Sequence, residues 1–206
     1  MPLRVTRAEK ADIPQLVDLY FSTFNSALVL KIKPDVPPVR GWFEKNLRSD
    51  MELPHTHVYK VEDSEAGPTH STGETIAFAK WTSPHTEDTH GGPAEWPSEG
   101  DAALFEEVVG KAAEKKKTLL GQEEHWYLGV LATLPKHQRR GAGSLLMAEF
   151  CKQADQSGLR SYVEASPLGK STYERFAFET QDTFEVTIDG QPYVDNCMVR
   201  EPQRSS

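Results

Sequence analysis

Apolar residues near the start of the chain recur at helical spacing. Ile13, Leu16, Val17, Tyr20, Phe21 and Phe24 form one stripe behind Asp12 as an N-cap and Pro14 in the first turn, and residues 5–7 ahead of them read as a short strand. After a proline-rich break at 34–38, Val39, Trp42, Phe43 and Leu47 predict a second helix. The period then changes to two. Ile76, Phe78 and Lys80 alternate with Ala77, Ala79 and Trp81, so segments 56–61 and 75–82 read as antiparallel strands around a loop holding Gly67, Pro68 and Gly73. Asp101 caps a further helix with Leu104, Phe105, Val108, Val109 and Ala112 on its apolar face and Lys115–Lys117 at its end, where cations suit the helix dipole. A strand at 125–134 stops at Pro135, and a glycine-bearing turn at 138–143 leads into a helix carrying Leu145, Leu146, Phe150 and Ala154 that ends near Gly158. Segment 160–165 reads as a strand parallel to the previous one, because a helix joins them. A short helix at 171–176 follows, and strands at 184–188 and 193–199 flank Asp189-Gly190, a hairpin turn signal. This succession predicts an α/β fold around a mixed sheet.

Length and composition narrow the picture. The 206 residues suggest one domain over 1–206 with an insertion at about 83–122, and 37% hydrophobic against 26% charged residues permits a packed core. A net charge of −8 argues against capture of nucleic acid or an anionic membrane and suits a small, cationic substrate. Segment 83–100 is acidic, with Glu87, Asp88, Glu95 and Glu99 and no Lys or Arg. The start of the chain has no apolar leader and no stretch is long enough to span a bilayer, so a cytoplasmic location is expected. Cys151 and Cys197 are too few for a disulfide framework and read as buried, reduced thiols. The histidines, including His55, His57, His85 and His90, lack a frame with zinc spacing, so no metal is expected.

The chemistry concentrates at Gln138-Arg139-Arg140-Gly141-Ala142-Gly143-Ser144, between a strand and a helix. Main-chain N–H groups at a helix start lack intrahelical partners, and glycines let a phosphate approach them closely. A dinucleotide fingerprint would need a small residue where Leu146 stands. A P-loop ending at Gly169-Lys170-Ser171 would need glycine where Glu164 stands.

What remains is a family resemblance. Segment 131–143 resembles the acyl-CoA signature of the GNAT superfamily of N-acetyltransferases, Gln/Arg-x-x-Gly-x-Gly/Ala after a strand and a proline. Tyr173-Glu174-Arg175-Phe176-Ala177-Phe178 resembles the family's Tyr-x-x-x-Gly-Phe, in the right order and at the right distance. The resemblance implies a central mixed sheet whose parallel strands splay, with Gly129 as the place for the irregularity. It implies acetyl-CoA as co-substrate. Leu131, Ala132 and Thr133 would pair with its pantetheine arm, and main-chain groups over Gln138, Arg139, Arg140, Gly141, Ala142, Gly143 and Ser144 would hold its pyrophosphate. Ser166 stands where many members carry an Asn that contacts the cofactor, and Ala177 replaces the family's glycine.

Acetyl transfer from a thioester to an amine needs a base for the amine, donors for the oxyanion and an acid for the thiolate. Leu131 offers a main-chain donor and Tyr173 is placed to be the acid. The positions where many relatives carry a base hold Tyr127 and Gly129, so His125 on the same strand face is the expected base, with Glu123, Glu124 or a water chain as alternatives. The resulting expectation is an N-acetyltransferase acting on the primary amine of a small molecule in a ternary complex. The acceptor is expected near the first two helices, the acidic loop and the C-terminal hairpin, where Trp42, Phe43, Trp81, Trp96 and Tyr193 either wall a pocket or fill the core. A protein or peptide N-acetyltransferase and a silent acyl-CoA-binding module are the competing readings. The sequence leaves open whether the chain is a monomer or a homodimer.

Overall fold

A computed structural model describes residues 3–64, 73–85 and 96–203. Seven strands form one mixed sheet in the order β1-β2-β3-β4-β5-β7-β6. These are β1 (Leu3–Arg7), β2 (Thr56–Asp63), β3 (Glu74–Thr82), β4 (His125–Thr133), β5 (Arg160–Ala165), β6 (Glu179–Ile188) and β7 (Gln191–Arg200). Every neighbouring pair is antiparallel except β4 and β5, which α5 connects. The helices are α1 (Ile13–Thr23), α2 (Ala27–Ile32), α3 (Pro37–Asp50), α4 (Ala102–Leu120), α5 (Ala142–Ser157) and α6 (Lys170–Glu174).

Local chemistry sets most boundaries as expected. Pro14 and Pro37-Pro38 open α1 and α3, where a missing N–H costs nothing. Asp101 caps α4 by accepting from the Leu104 N–H at 2.9 Å. Asp189 and Gly190 both take positive φ, 50° and 78°, and so form the tight turn between β6 and β7. Asp12 departs from its expected role. Its side chain does not cap α1 but accepts the Glu9 N–H at 2.8 Å and so closes a short 3-10 turn ahead of the helix. Helix α2 is an addition, started by Ser26, whose Oγ accepts from the Val29 N–H.

The two faces of the sheet are covered differently. On one face α5 buries Leu146, Met147, Phe150 and Ala154 against Ile76, Ala79, Trp81, Leu128 and Val163. Trp81, fully buried, lies edge-on to Phe150 (5.5 Å) and stacks on Tyr59 (4.8 Å), so it fills this core and walls no pocket on the opposite side. Truncating a residue such as Phe150 there costs roughly 3–5 kcal/mol. On the other face α1 and α3 cover β2, β3 and β4, while α4 covers β6 and β7 and meets α2 through Leu28, Ile32, Leu104 and Phe105. Of the acidic residues in 83–100, Glu87, Asp88 and Glu95 lie outside the described residues. Among the described residues no helix is long and apolar enough to cross a membrane.

Candidate active site

The site begins where β4 and β5 part. Their ladder holds three pairs, His125↔Arg160, Trp126↔Ser161 and Tyr127↔Tyr162, and then ends. Beyond it β4 stays on β3 as far as Thr133, and β5 stays on β7 as far as Ala165. A fork therefore opens in mid-sheet. Gly129 sits at its root: Lys80 pairs with Val130 and Trp81 with Leu128, so Gly129 is the extra residue of a bulge. The Leu134 N–H bonds to Ile76 O on β3, so alternation points the main chain of Leu131 and Thr133 away from β3, into the fork. The same alternation sends the Ala132 main chain to β3.

The glycine-bearing turn at 138–144 lies at the fork's mouth. Pro135 ends β4, and Gly141 enters α5 with φ 90°, a left-handed value that glycine adopts without strain. Arg139 also takes positive φ, 61°. A side chain added at Gly141 would meet open space, and one at Gly143 would touch only Thr133 Oγ1 at 3.5 Å. The first N–H groups of α5, from Ala142 to Ser144, point out of the helix start. This cradle of open main chain, glycine and helix dipole fits the diphosphate and pantetheine of a coenzyme A thioester. The side chains do other work. Gln138 Nε2 donates back to Thr133 O at 3.3 Å, and Arg140 binds the buried Asp63 carboxylate at 2.5 Å and contacts His137. Arg140 therefore anchors the turn to β2, leaving Arg139 as its exposed cation. Ser166 Oγ accepts the Gly169 N–H at 3.2 Å and shapes the turn before α6.

Past the end of the β4–β5 ladder stands a cluster of acids and phenols. Tyr173 on α6 is buried, and its phenol is pushed well above the usual range by burial, then by the charges of Glu164 and Asp195. Glu164 lies on β5 two residues past the last β4–β5 pair, on the face shared with Tyr162. Its enclosed carboxyl is raised by burial, against the hydrogen bond it accepts from Tyr127. Asp195 on β7 follows on the same face, two residues from Cys197, the register partner of Glu164. Its carboxyl is pushed up to about 6 by burial and by the charge of Glu164, while the Tyr193 hydroxyl hydrogen-bonds to it. Its Oδ1 is buried without a hydrogen-bond partner among the described residues.

His125 is placed differently from the other predicted site residues. It belongs to the closed end of the β4–β5 ladder, six residues or about 20 Å of strand from Leu131. Its Nδ1 lies 2.8 Å from Glu123 O, and burial lowers its pKa. The fold thus brings Leu131, Thr133, the 138–144 turn and Tyr173 to the fork and leaves His125 behind. Sequence reasoning missed Glu164 and Asp195. They come together only through the β5–β7 pairing, which neither strand announces by itself.

The chain resembles several known proteins. The model of the acetyltransferase (GNAT) family matches residues 56–178, more than half of the chain. The chain belongs to the GNAT acetyltransferase family, whose members draw the acetyl group from acetyl-CoA. An uncharacterized N-acetyltransferase of Schizosaccharomyces pombe is 32% identical over 111 residues, which are 52% of this chain and 45% of that protein. The chain thus matches less than half the length of this curated relative. Among solved structures, the C-terminal condensation domain of Ebony in complex with beta-alanyl-dopamine superposes with a TM-score of 0.71 at 13% identity, covering 98% of this chain and 99% of that one. The histone acetyltransferase HPA2 and related acetyltransferase of Corynebacterium glutamicum gives 0.64 at 20% identity, covering 100% and 99%. The putative acetyltransferase yncA of Salmonella typhimurium, solved with acetyl-CoA, gives 0.59 at 12% identity, covering 100% and 97%. At these identities the structures establish the fold.

Proposed function

We propose that this chain transfers the acetyl group of acetyl-CoA to the primary amine of a small cationic molecule. The observation that carries this reading is the pair of enclosed carboxyls, Glu164 and Asp195, where β4 and β5 part. An incoming ammonium offers the buried Asp195 Oδ1 the donor it lacks and offsets the mutual repulsion of the pair. The packing of α4 onto α2, β6 and β7 narrows the acceptor side and favours a small molecule over an extended peptide. The Ebony domain, whose structure holds beta-alanyl-dopamine, is a precedent for an amine conjugate bound in a similar fold.

Acetyl-CoA supplies the activated thioester when bound. The carboxylate pair, with Glu164 hydrogen-bonded to Tyr127 and Asp195 to Tyr193, takes the proton that the amine must lose before it can attack. Leu131 turns its main chain into the fork as a donor. Tyr173 keeps its proton at neutral pH and is positioned to give it to the departing sulfur. Attack is direct, because burial raises both thiols, Cys151 to about 11, and leaves neither as a nucleophile. Two free, buried cysteines also support a reducing compartment such as the cytoplasm. The test is thiol release from acetyl-CoA with panels of primary amines and of peptides. Turnover with amines is expected. Peptide turnover exceeding that of every amine overturns the small-molecule reading, and tight acetyl-CoA binding with no acceptor turned over overturns catalysis.

A further inference from the structure

Above the acceptor face, three helices surround one ammonium group. Nζ of Lys33, directly after α2, lies 5.8 Å from the ring centre of Tyr20 (α1), 5.7 Å from Trp42 (α3) and 5.6 Å from Phe105 (α4). Trp96 closes the box, stacked on Phe105 at 4.1 Å and edge-on to Trp42 at 4.7 Å. The nearby carboxylates Asp18 and Asp35 are both engaged by Arg40, so ring faces hold this cation. A ring cage of this kind selects organic ammonium ions.

The cage and the carboxylate pair are connected through Tyr193. Tyr193 hydrogen-bonds to Asp195 and to Ser26, and its ring packs in the same cluster as Trp96 and Phe105. Tyr193 therefore links the place where the reacting amine would dock to the apolar cluster that backs the cage. Lys33 is half-exposed on a flexible stem, so its ammonium can swing to water while another takes its position without changing the charge in the cage.

We propose that Tyr20, Trp42 and Phe105 form a second cation subsite of the acceptor pocket, filled by Lys33 in the unliganded chain and by the distal ammonium of a diamine during turnover. The proposal rests on the amine-acetylating reading above. It is tested with 1,4-diaminobutane and butylamine as probes, each followed by thiol release and, without acetyl-CoA, by tryptophan fluorescence. The diamine is expected to exceed butylamine in kcat/KM by about tenfold, or about 1.4 kcal/mol. Phe105→Leu and Trp42→Leu, which keep apolar volume but remove a ring face, erase most of that preference and leave butylamine within about twofold. Lys33→Ser tightens diamine binding by about threefold, because it removes the resident competitor. Equal losses for both amines in both ring variants, or weaker diamine binding in Lys33→Ser, overturn the subsite. If neither amine is acetylated, the catalytic reading fails and the fluorescence titration still decides. A saturable response to 1,4-diaminobutane that Phe105→Leu abolishes supports the cage, and no response overturns it.

Discussion

The two arms of the fork are built by different means. The β4 arm and the turn after it present main chain: an outward-facing strand edge, a bulge at Gly129 and a helix start opened by Gly141 and Gly143. The β5–β7 arm presents side chains, with Glu164, Asp195, Tyr193 and Tyr173 converging from two strands and a short helix. Main-chain recognition suits a ligand part shared by all acyl-CoA thioesters, since any sequence with the right glycines can supply it. Side-chain recognition suits the part that differs from one acceptor to the next, and one substitution can retune it.

Substitutions on the two arms should therefore fail in different ways. On the turn, Gly143→Ala fits beside Thr133 Oγ1 and should leave acetyl-CoA affinity within a few-fold, whereas Gly143→Asp sets a carboxylate against the diphosphate and should weaken binding more than 100-fold by calorimetry. Unchanged affinity in Gly143→Asp would remove the turn from the cofactor site. On the opposite arm, Glu164→Gln should lower kcat at least 100-fold with acetyl-CoA affinity intact, the usual range for losing a general base. His125→Asn should stay within about threefold. The reverse ranking would return the base to the closed end of the ladder.

Tyr173→Phe tests the phenol of the same arm, and kcat should fall about 100-fold while acetyl-CoA binding is retained. Full turnover would exclude it as the acid. The pH profile reads the carboxylate pair directly. The pair accepts a proton only when ionised, so kcat/KM should rise with pH through about 6 and then level, and Asp195→Asn should remove that limb. The same residue lowers stability. Its folded carboxyl holds its proton more tightly than the unfolded one, so its contribution to stability falls as pH rises from 3.8 to about 6. At pH 7 Asp195→Asn should then melt higher than the parent, and a lower Tm would contradict the burial cost. The smallest effect is expected outside both arms. Ala177 takes φ 61° where the family has glycine, so Ala177→Gly should gain about 0.5–1 kcal/mol in denaturant unfolding.

The same contrast explains what was legible beforehand. Pro135, Gly141 and Gly143 announce a strand end and a helix start within nine residues, and Asp189-Gly190 announces a hairpin, because each signal acts on adjacent backbone. Glu164 and Asp195 carry no local signal. They are 31 residues apart and meet only because β7 returns alongside β5. His125 is the histidine of β4 and so titrates in the useful range, but the point where the ladder ends depends on pairing that one strand cannot reveal. Helix α2 is a single short stretch held by a serine cap and by packing on α4, too brief for periodicity to register.

The path between β3 and β4 has a further consequence. The two strands are hydrogen-bonded neighbours, with Thr82 across from Tyr127, so a tight hairpin would suffice to join them. Instead the chain leaves the sheet, lays α4 over β6 and β7, and returns beside its point of departure. Closing a loop some tenfold longer costs only about 2 kcal/mol of chain entropy. A segment anchored in this way behaves as a cassette. A change in its length would leave the β4 bulge and the 138–144 turn in register, because neither belongs to it, and would alter only what lies over β6 and β7.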